Sequence, residues 1–592
     1  MQLDTQIQSE IYKAAQVLFN YSGSLQIQPT NKEFEGSHTL VCFGLAKASK
    51  KSPEETAQTI GEYLVSKSGL ITRYNVVKGF LNLVVSDSVW VQVFNHLLAQ
   101  KKIGLADDNG KELMVEYSSP NTNKPLHLGH LRNNFLGYSV AEIYKALGYT
   151  VHKVQIINDR GIHICKSMAA WKLYGNGETP ESSGLKGDHL VGKYYVVFDK
   201  QYKSQIKDLI DSGVPEAEAE KQAPIMKRAV DMLQKWEAKD EETVALWKKM
   251  NHWVYDGFSS TYKRMGVDFE RLYYESDTYL LGKDEVLKGL ANGIFFKKED
   301  GSVWVDLSSE GLDQKVLLRS DGTSVYMTQD IGTAILRFRD FPKIEGQVYT
   351  VGNEQEYHFK VLFLILKKLG YAWAEKCYHL SYGMVDLPTG KMKSREGTVV
   401  DADDLMQEMV ADAENQTKSL GKIEGLNEEE AQELFEMLGM SALKFFLLKV
   451  DPKKRMLFDP AESIQLQGHT GPFIQYTHAR IKSVLRKAET MNLEKKKTFS
   501  LDALEPSERA VISLLNNYTS KLEEAAKTYS PAVMANYAYE LAKEFNQFYQ
   551  TVTILNEPDP EKLSFRLAFT ALTGTAIAES MKLLGIQVPD RM

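Results

Sequence analysis

The spacing of hydrophobic positions changes several times along the chain, which predicts more than one domain. Near the start, Ile7, Ile11 and Leu18 recur at the interval of an amphipathic helix. The segment Phe80–Val85 has the composition of a strand instead, and a turn-forming run of Asp, Asn and Gly follows at 107–110. Residues 1–108 are therefore predicted to form a small N-terminal α+β domain.

The next part of the chain alternates between strand and helix patterns. An apolar strand is predicted at 113–117, then a helix with Leu131 and Phe135 at helical spacing, and then a second strand at 151–157. Further strands are predicted at 303–307, 316–319 and 347–351. This order is typical of a parallel sheet with helices on its faces, so residues 109–405 are expected to form a Rossmann-like α/β domain.

Two other stretches are predicted to be largely helical. Residues 175–255 are highly charged, begin among glycines and prolines, and are interpreted as an insertion in the α/β domain. An editing module is the alternative, but the stretch lacks the nucleophile or metal cluster that such a module would need. Beyond the α/β domain, we predict connecting helices over 406–460 and an all-α helical bundle over 461–592.

A chain of 592 residues is long enough for several domains. Its hydrophobic content of 43% is ordinary for a globular protein. The three cysteines are widely spaced, which excludes a disulfide framework and any Cys-x-x-Cys zinc site. No run of about 18 apolar residues predicts a membrane span, and the N-terminus lacks a signal segment. We therefore expect a cytoplasmic protein that binds neither membrane nor zinc.

The formal net charge is −7. An acidic balance argues mildly against a nucleic-acid partner. It does not exclude one, because a large nucleic-acid enzyme can confine its positive charge to one face.

Residues 120–130 (Pro-Asn-Thr-Asn-Lys-Pro-Leu-His-Leu-Gly-His) join the first strand of the α/β domain to its helix. A helix start attracts anions because its N–H groups are unpaired and its dipole is positive there. Gly129 allows a ligand to approach the backbone, and His127 and His130 offer donors to a polyphosphate. The simpler interpretation is that the two histidines only cap or pack the helix.

Residues 390–398 (Gly-Lys-Met-Lys-Ser-Arg-Glu-Gly-Thr) place three cations and a hydroxyl between two glycines. Such a loop can neutralise the charge of departing pyrophosphate. A solvated basic turn is the alternative, since most short charge runs are solvated. The two elements together, in this order, are more specific than either alone.

The pair resembles the signatures of class I aminoacyl-tRNA synthetases, whose usual forms are His-Ile-Gly-His and Lys-Met-Ser-Lys-Ser. The flanking sequence is similar to that of arginyl-tRNA synthetases in particular, with matches at residues 115–121, 325–331, 355–359, 473–481 and 589–592. The resemblance extends from about residue 113 to the last residue.

This resemblance implies an ATP-dependent ligase that attaches L-arginine to tRNA(Arg) through an arginyl-adenylate, releasing AMP and pyrophosphate. Mg²⁺ would accompany ATP on its phosphates rather than occupy a protein cage. The family requires bound tRNA for the first step, and we expect the same here. We also expect a monomer.

The family's pattern assigns His127 and His130 to the α-phosphate, which they stabilise while the amino-acid carboxylate attacks. The lysine usual at the fourth position of the second signature is replaced here by Ser394. Arginyl enzymes that lack it use an upstream lysine, which Lys124 matches.

Lys391 and Arg395 are expected to hold the leaving pyrophosphate. Glu396 stands where many relatives have lysine, so the identity of the dominant loop cation stays open. The expected ATP-binding residues are His127, Gly129, His130, His358, Phe359, Lys391, Met392, Lys393 and Ser394.

The amino-acid pocket is expected to pair the arginine guanidinium with a carboxylate. The resemblance assigns Asp330 and Tyr326 to the guanidinium, and Glu116, Asn121 and Gln355 to the α-amino group and the carboxylate. Such a site rejects lysine, so no editing domain is required. Each residue alone has a structural alternative, such as a helix cap for Asp330, and only their joint occurrence favours the pocket.

The C-terminal bundle is expected to bind the anticodon. Aromatic, polar and cationic groups of the kind that stack on and contact splayed bases are combined there in Gln475, Tyr476, His478 and Arg480. Met592 is also expected to bind the tRNA, with the alternative that it only ends the last helix. Tyr476 could equally belong to the bundle core. The N-terminal domain resembles the family's extra domain, which contacts the elbow of the tRNA.

Two other functions are compatible with parts of the sequence. A different class I synthetase would keep both phosphate elements but would need a pocket other than the one with Tyr326 and Asp330. A non-catalytic tRNA-binding relative would account for Ser394, but the intact His127 and His130 disfavour it.

Overall fold

The computed structural model describes residues 3–31, 33–100, 103–387, 400–421, 425–491 and 496–592. Within these ranges the strands β1 to β14, in chain order, are Ile27–Pro29, His38–Val41, Ile71–Val77, Phe80–Val85, Glu112–Glu116, Thr150–Ile157, Arg271–Tyr274, Phe296–Lys297, Val303–Val305, Lys315–Leu318, Ile344–Gly352, Cys377–Tyr382, Val385–Asp386 and Met456–Leu457. The helices α1 to α23 are Leu3–Phe19, Ala46–Ser49, Pro53–Lys67, Asp87–Ala99, Leu128–Ala146, Ile162–Tyr174, Pro180–Ser183, Gly187–Asp211, Glu216–Gln222, Pro224–Glu237, Glu241–Met265, Glu275–Thr278, Lys283–Ala291, Tyr326–Asp340, Glu356–Lys368, Ala402–Ser419, Glu428–Leu448, Pro460–Ser463, Gly471–Glu489, Pro506–Asn516, Tyr518–Thr528, Ala532–Thr551 and Pro560–Leu583.

The N-terminal domain combines an antiparallel sheet of order β1-β2-β4-β3 with helices α1 and α3. α1 buries Leu3, Ile7 and Ile11, which share one face because they are four residues apart. Ser52 is the N-cap of α3. Its hydroxyl accepts a hydrogen bond from the Glu55 N–H, while the Glu55 carboxylate accepts one from the Ser52 N–H. This reciprocal cap fixes where the helix starts.

The central domain is built on a five-stranded sheet of order β12-β11-β5-β6-β7, parallel throughout. Its inner strands carry buried apolar residues such as Val115, Val154 and Val348, as expected when helices cover both faces. β6, the next strand of this sheet along the chain, pairs with one edge of β5, whereas the later strand β11 pairs with its other edge. A crevice therefore opens at the carboxyl ends of β5 and β11, where the strand order reverses, the usual ligand site of such sheets.

The insertion in this domain consists of α7 to α11, with α8 and α10 packed on α6. Helices α8 and α11 each span 25 residues. α11 continues through Met265, past the expected end of the insertion near residue 255, and stops at Gly266, whose φ of 68° suits glycine after a helix.

Two small sheets accompany the central one. β10, β9 and β8 form an antiparallel sheet, and β13 pairs in parallel with β14, placing Val385 opposite Met456. The β13–β14 pair was not predicted, because two residues are too few for a hydrophobic period to show.

From α16 onward the described chain is helical apart from β14. Phe545 of α22 and Phe565 and Phe569 of α23 are fully buried in this bundle. Phe94 of α4 also packs there, with its ring centroid 4.9 Å from that of Phe565. The predicted fold class, an α/β domain flanked by an N-terminal α+β domain and a C-terminal helical bundle, is confirmed. No helix in the described part of the chain has the length and apolar character of a membrane span.

Candidate active site

The first signature lies at the start of α5, where the backbone fixes both histidines. His127 is the N-cap, with extended φ and ψ of −137° and 175°, and its Nδ1 accepts a hydrogen bond from the Gly129 N–H at 3.2 Å. His130 Nδ1 accepts one from the His127 N–H at 3.1 Å. Because both Nδ1 atoms are acceptors, each ring is assigned as the Nε2–H tautomer, and these two bonds leave both Nε2–H donors for other partners.

Burial keeps both imidazoles neutral. It lowers the pKa of His127 to about 4 and that of His130 well below its usual value, and the charge of Lys124 adds to both effects. The ring centroids are 3.9 Å apart, and a Cβ at Gly129 would lie 3.1 Å from the His127 ring. The helix start therefore presents two neutral donors near one ammonium group.

The second signature lies outside the described residues, but the chain on both sides of it contacts α5. The predicted residues in this segment (388–399) are Lys391, Met392, Lys393, Ser394 and Arg395. Downstream, the backbone of 400–402 pairs with that of 126–128 through two hydrogen bonds of 3.0 Å. Upstream, the guanidinium of the buried Arg132 donates to the Gly383 carbonyl. Both flanks of the second signature are thus fixed to the helix that carries the first.

Glu116, at the end of β5, is buried and forms an ion pair with Arg337 of α14. Burial raises the pKa of Glu116, and Arg337 opposes that shift. The Arg337 guanidinium also lies over the rings of Tyr273 and Tyr349, at 5.1 and 5.7 Å from their centroids. The structure therefore gives this predicted substrate-binding carboxylate a partner within the protein.

One face of α14 lines the same crevice. Tyr326, Asp330 and Arg337 share that face, since they are four and seven residues apart. Tyr326 is 77% exposed, and Asp330 accepts a hydrogen bond of 2.6 Å from His358 Nε2. The charge of Asp330 adds to the raised pKa of Glu116.

The remaining predicted pocket residues divide into two groups. Asn121 forms a backbone bridge to the turn after β6, and Gln355 is exposed just after β11. His358 is half-buried at the start of α15. These three lie at the carboxyl edge of the sheet, whereas Phe359 is buried and stacks on His379 with ring centroids 4.4 Å apart.

Three charged residues at this edge were missed from the sequence, namely Asp159, Arg160 and Glu275. Asp159 accepts hydrogen bonds from both the N–H and the hydroxyl of Ser276, each at 2.8 Å. Burial raises the pKa of Glu275 to about 7; Arg160 opposes this, and the charges of Asp159 and Asp330 add to it. All three follow β6 or β7 within a few residues. Because ligands of parallel sheets bind at the carboxyl ends of the strands, the predicted ends of these strands could have identified the three residues.

Asp188, His189 and Asp403 carry possible metal-ligand atoms within 4.8 Å of one another. The Lys186 ammonium lies among them, bonded to Asp403 and 3.2 Å from Asp188 Oδ2. Because an ammonium group already holds the place of a cation, these residues form an ion-pair cluster instead of a metal centre.

The C-terminal bundle contains a cavity of about 730 Å³ bordered by α19, α22 and the end of the chain. The Arg480 guanidinium lies over the rings of Tyr476 and Tyr549, at 4.8 and 4.9 Å from their centroids. Met592 also lines the cavity. Three of the predicted tRNA-binding residues, Tyr476, Arg480 and Met592, are therefore brought together.

Gln475 and His478, the other two, are buried with exposures of 0% and 3%. Gln475 Nε2 donates to the Gln587 carbonyl at 2.7 Å, and His478 Nδ1 donates to the Pro589 carbonyl at 2.9 Å. In this structure both side chains hold the C-terminal segment in place, on the inside of the bundle.

Comparison with known proteins accounts for this architecture. Residues 92–459 match the family described as tRNA synthetases class I (R), catalytic domain. Residues 474–592 match the DALR anticodon binding domain, and residues 1–85 match the arginyl tRNA synthetase N terminal domain. The central fold is thus that of a class I tRNA synthetase catalytic domain.

Individual proteins of similar sequence show which synthetase family within this class the chain belongs to. The arginine–tRNA ligases of Bacteroides fragilis strain YCH46 and Amoebophilus asiaticus are 53% and 54% identical to this chain, over all of both chains in each case. The solved arginyl-tRNA synthetase of Thermus thermophilus is 25% identical with a TM-score of 0.78, again over all of both chains. The chain belongs to the arginyl-tRNA synthetase family. It uses ATP to charge tRNA(Arg) with arginine through an aminoacyl-adenylate.

The titration of Glu275 makes stability depend on pH. Because its pKa is about 7 when folded and 4.5 ordinarily, the folded state keeps a proton that the unfolded chain loses between these values. Glu275 therefore lowers stability as pH rises through this window. The free energy of unfolding of Glu275→Gln, relative to that of the parent, should therefore rise by about 2 kcal/mol when the pH is raised from 5 to 8. The melting temperatures of both proteins, measured at the two pH values, test this.

The control for this prediction is Glu299→Gln, which alters an exposed carboxylate in a turn. Its melting temperature relative to the parent should be the same at both pH values. An equal, pH-independent difference for Glu275→Gln would contradict the prediction.

Proposed function

We propose that adenylate formation takes place at the start of α5, with His127, His130 and Lys124 in contact with the triphosphate of ATP. ATP enters as its Mg²⁺ complex, the ion being carried on the phosphates. The observation that supports this most directly is the pair of neutral Nε2–H donors beside Lys124. Such donors stabilise the negative charge that develops in the transition state, because they are already oriented toward the phosphate before the reaction starts.

In the proposed step, a carboxylate oxygen of arginine attacks the α-phosphorus. The bond between this phosphorus and the bridging oxygen of pyrophosphate breaks, and pyrophosphate leaves with the electron pair. His127 and His130 donate to the α-phosphate oxygens, whose charge increases in the transition state. Lys391 and Arg395 are proposed to take the pyrophosphate. Gly129 carries no side chain, so the phosphates can approach the start of α5 closely.

The adenine side is proposed to involve His358 and Phe359, with the latter acting through the position of α15 since it is buried. The second-signature residues Met392, Lys393 and Ser394 are proposed to complete the ATP site.

We propose that the arginine guanidinium binds between Asp330 and Tyr326. Of the two predicted carboxylates, Glu116 is already paired with the Arg337 guanidinium. Asp330 contacts only the His358 imidazole among the ion pairs of the described residues and is partly exposed, so it is the one proposed to bind a substrate cation. Asn121 and Gln355 are proposed to hold the α-amino group and the carboxylate. Glu116 then supports the pocket from beneath, through its ion pair.

The anticodon is proposed to bind at the C-terminal cavity. A base can stack on Tyr476 while Arg480 and the chain end at Met592 contact its edge. Gln475 and His478 support this site by holding the C-terminal segment.

We further propose the division into domains 1–108, 109–405 with its insertion, 406–460 and 461–592. The first of these contacts the tRNA elbow. The enzyme is proposed to act as a monomer in the cytoplasm.

Lys124→Ala should lower the kcat of ATP–pyrophosphate exchange by about 100-fold at saturating arginine and tRNA, because one cation at the triphosphate is lost. The Kd for tRNA should stay within about twofold, measured by filter binding. Lys111→Ala, at the opposite end of β5, is the matched control and should retain exchange. Loss of tRNA affinity with intact exchange would show that the assignment of Lys124 is wrong.

Asp330→Asn should raise the KM for arginine by about 10- to 100-fold, since a charge-assisted hydrogen bond contributes about 1.5–3 kcal/mol. The KM for ATP should change little, measured by the same exchange assay. Asp313→Asn, in an exposed loop, removes the same charge elsewhere and should behave like the parent. An unchanged KM for arginine in Asp330→Asn would exclude Asp330 as the guanidinium partner.

Arg480→Ala should raise the KM for tRNA in aminoacylation by about tenfold or more, because a stacking and cationic contact is removed from the anticodon site. Exchange at saturating tRNA should persist. Lys543→Ala, exposed on α22, is the control. A normal KM for tRNA in the Arg480 variant would place the anticodon elsewhere.

A further inference from the structure

The insertion contacts the chain immediately after the second signature. The Lys186 ammonium, just before α8, is bonded to the Asp403 carboxylate. His189 Nε2 lies 3.2 Å from Asp403 Oδ2 and 3.5 Å from Asp401 Oδ2. Thr261 of α11 donates its hydroxyl to Asp403 Oδ1 at 3.1 Å. Two helices of the insertion therefore hold the first turn of α16.

That turn is directly connected to the first signature. Asp401 is the N-cap of α16, and its Oδ1 accepts hydrogen bonds from the N–H groups of Asp403 (2.8 Å) and Asp404 (3.1 Å). Its backbone forms an antiparallel bridge with His127. A displacement of Asp401 would therefore displace the residue that caps α5.

The cluster has more carboxylates than cations, and it keeps one surplus negative charge even when His189 is protonated. Three carboxylates, those of Asp188, Asp401 and Asp403, face one ammonium and one imidazole. Asp188 is fully buried, so its negative charge cannot be relieved by solvent.

The protonation of His189 follows from this surplus. Burial lowers its pKa, but the hydrogen bond to Asp403 and the charges of Asp401 and Asp188 outweigh that effect and raise it overall, with Lys186 opposing. The same contacts lower the pKa of Asp403 to about 2, in spite of burial.

We propose that Lys186 and His189 are positioning residues for adenylate formation: through Asp403 and Asp401 they hold His127 in the geometry that the reaction requires. This gives the charged insertion a part in the first step of the reaction. The proposal rests on the role of His127 proposed above.

A pH dependence follows from the charge of His189. The ion pair with Asp403 is complete at low pH and is lost as pH rises through the raised pKa of the imidazole. Deprotonation removes one positive charge from a cluster already rich in carboxylates. His189→Gln keeps a neutral donor at every pH, so it isolates the contribution of the charge.

The test measures ATP–pyrophosphate exchange by the full chain, with saturating tRNA and ATP. At pH 6.5, His189→Ala and Asp403→Asn should lower kcat by about tenfold, since small misplacements of reacting groups are costly, while the KM for arginine stays within about twofold. The ratio of parent kcat to His189→Gln kcat should fall from about five at pH 6.5 to about one at pH 8.5. Because this ratio compares two proteins at the same pH, ionisations that affect the kcat of both equally do not change it.

His252→Ala is the matched control, because His252 lies on α11 of the same insertion with its side chain 74% exposed. It should keep the parent kcat. A kcat within twofold of the parent in both His189→Ala and Asp403→Asn would overturn the proposal. So would a pH-independent ratio for His189→Gln. A loss of kcat in His189→Ala that comes with a lower melting temperature, and that persists in His189→Gln at pH 8.5, would also overturn it.

His127→Ala separates failure of this proposal from failure of the proposed function. Retained exchange in His127→Ala would remove the role of His127 itself. Lost exchange in His127→Ala, together with normal exchange in His189→Ala, would overturn only the positioning role.

Discussion

The backbone pairing between residues 126–128 and 400–402 is the interaction on which the rest of the site depends. It uses the Leu128 N–H, one of the N–H groups that a helix start leaves without a partner inside the helix. It also holds His127 in the extended conformation from which its ring can accept the Gly129 N–H. Two segments far apart in sequence are thus joined by main-chain hydrogen bonds, which do not depend on the identity of their side chains.

Arg132 extends this constraint by one helical turn. Its guanidinium is fully buried and donates to carbonyls of Gly383, Pro452 and Lys454, on two separate segments. Arginine suits this position because its planar fork carries five donors in fixed directions. α5 therefore organises the catalytic domain and the start of the C-terminal helices together. Its N-cap, His127, pairs with the chain before α16, and Arg132 holds two other segments through their carbonyls.

The sequence was sufficient where a signal is local and insufficient where a partner is distant. The strand before His127 and the helix after it follow from hydrophobic spacing, and the ligand edge follows from where strands end. Nothing local shows that Glu116 pairs with Arg337, because that contact joins β5 to α14. Likewise, helical spacing cannot show that the chain end covers Gln475 and His478.

The ion-pair cluster at α16 illustrates why a charged insertion can matter without carrying catalytic groups. Partly buried ion pairs contribute little net stability, because desolvation offsets much of their attraction. They do penalise any arrangement that leaves a carboxylate such as Asp188 unpaired, so they specify geometry more than they stabilise it. An apolar contact between α8 and α16 could slide by a few tenths of an ångström at small cost, since hydrophobic attraction is non-directional. The ion pairs of Lys186 and His189 with Asp403 do not allow this shift, because hydrogen-bonded groups are held at a fixed distance and direction. Such precision is required here, since the residues just before Asp403 pair with the backbone at the start of α5.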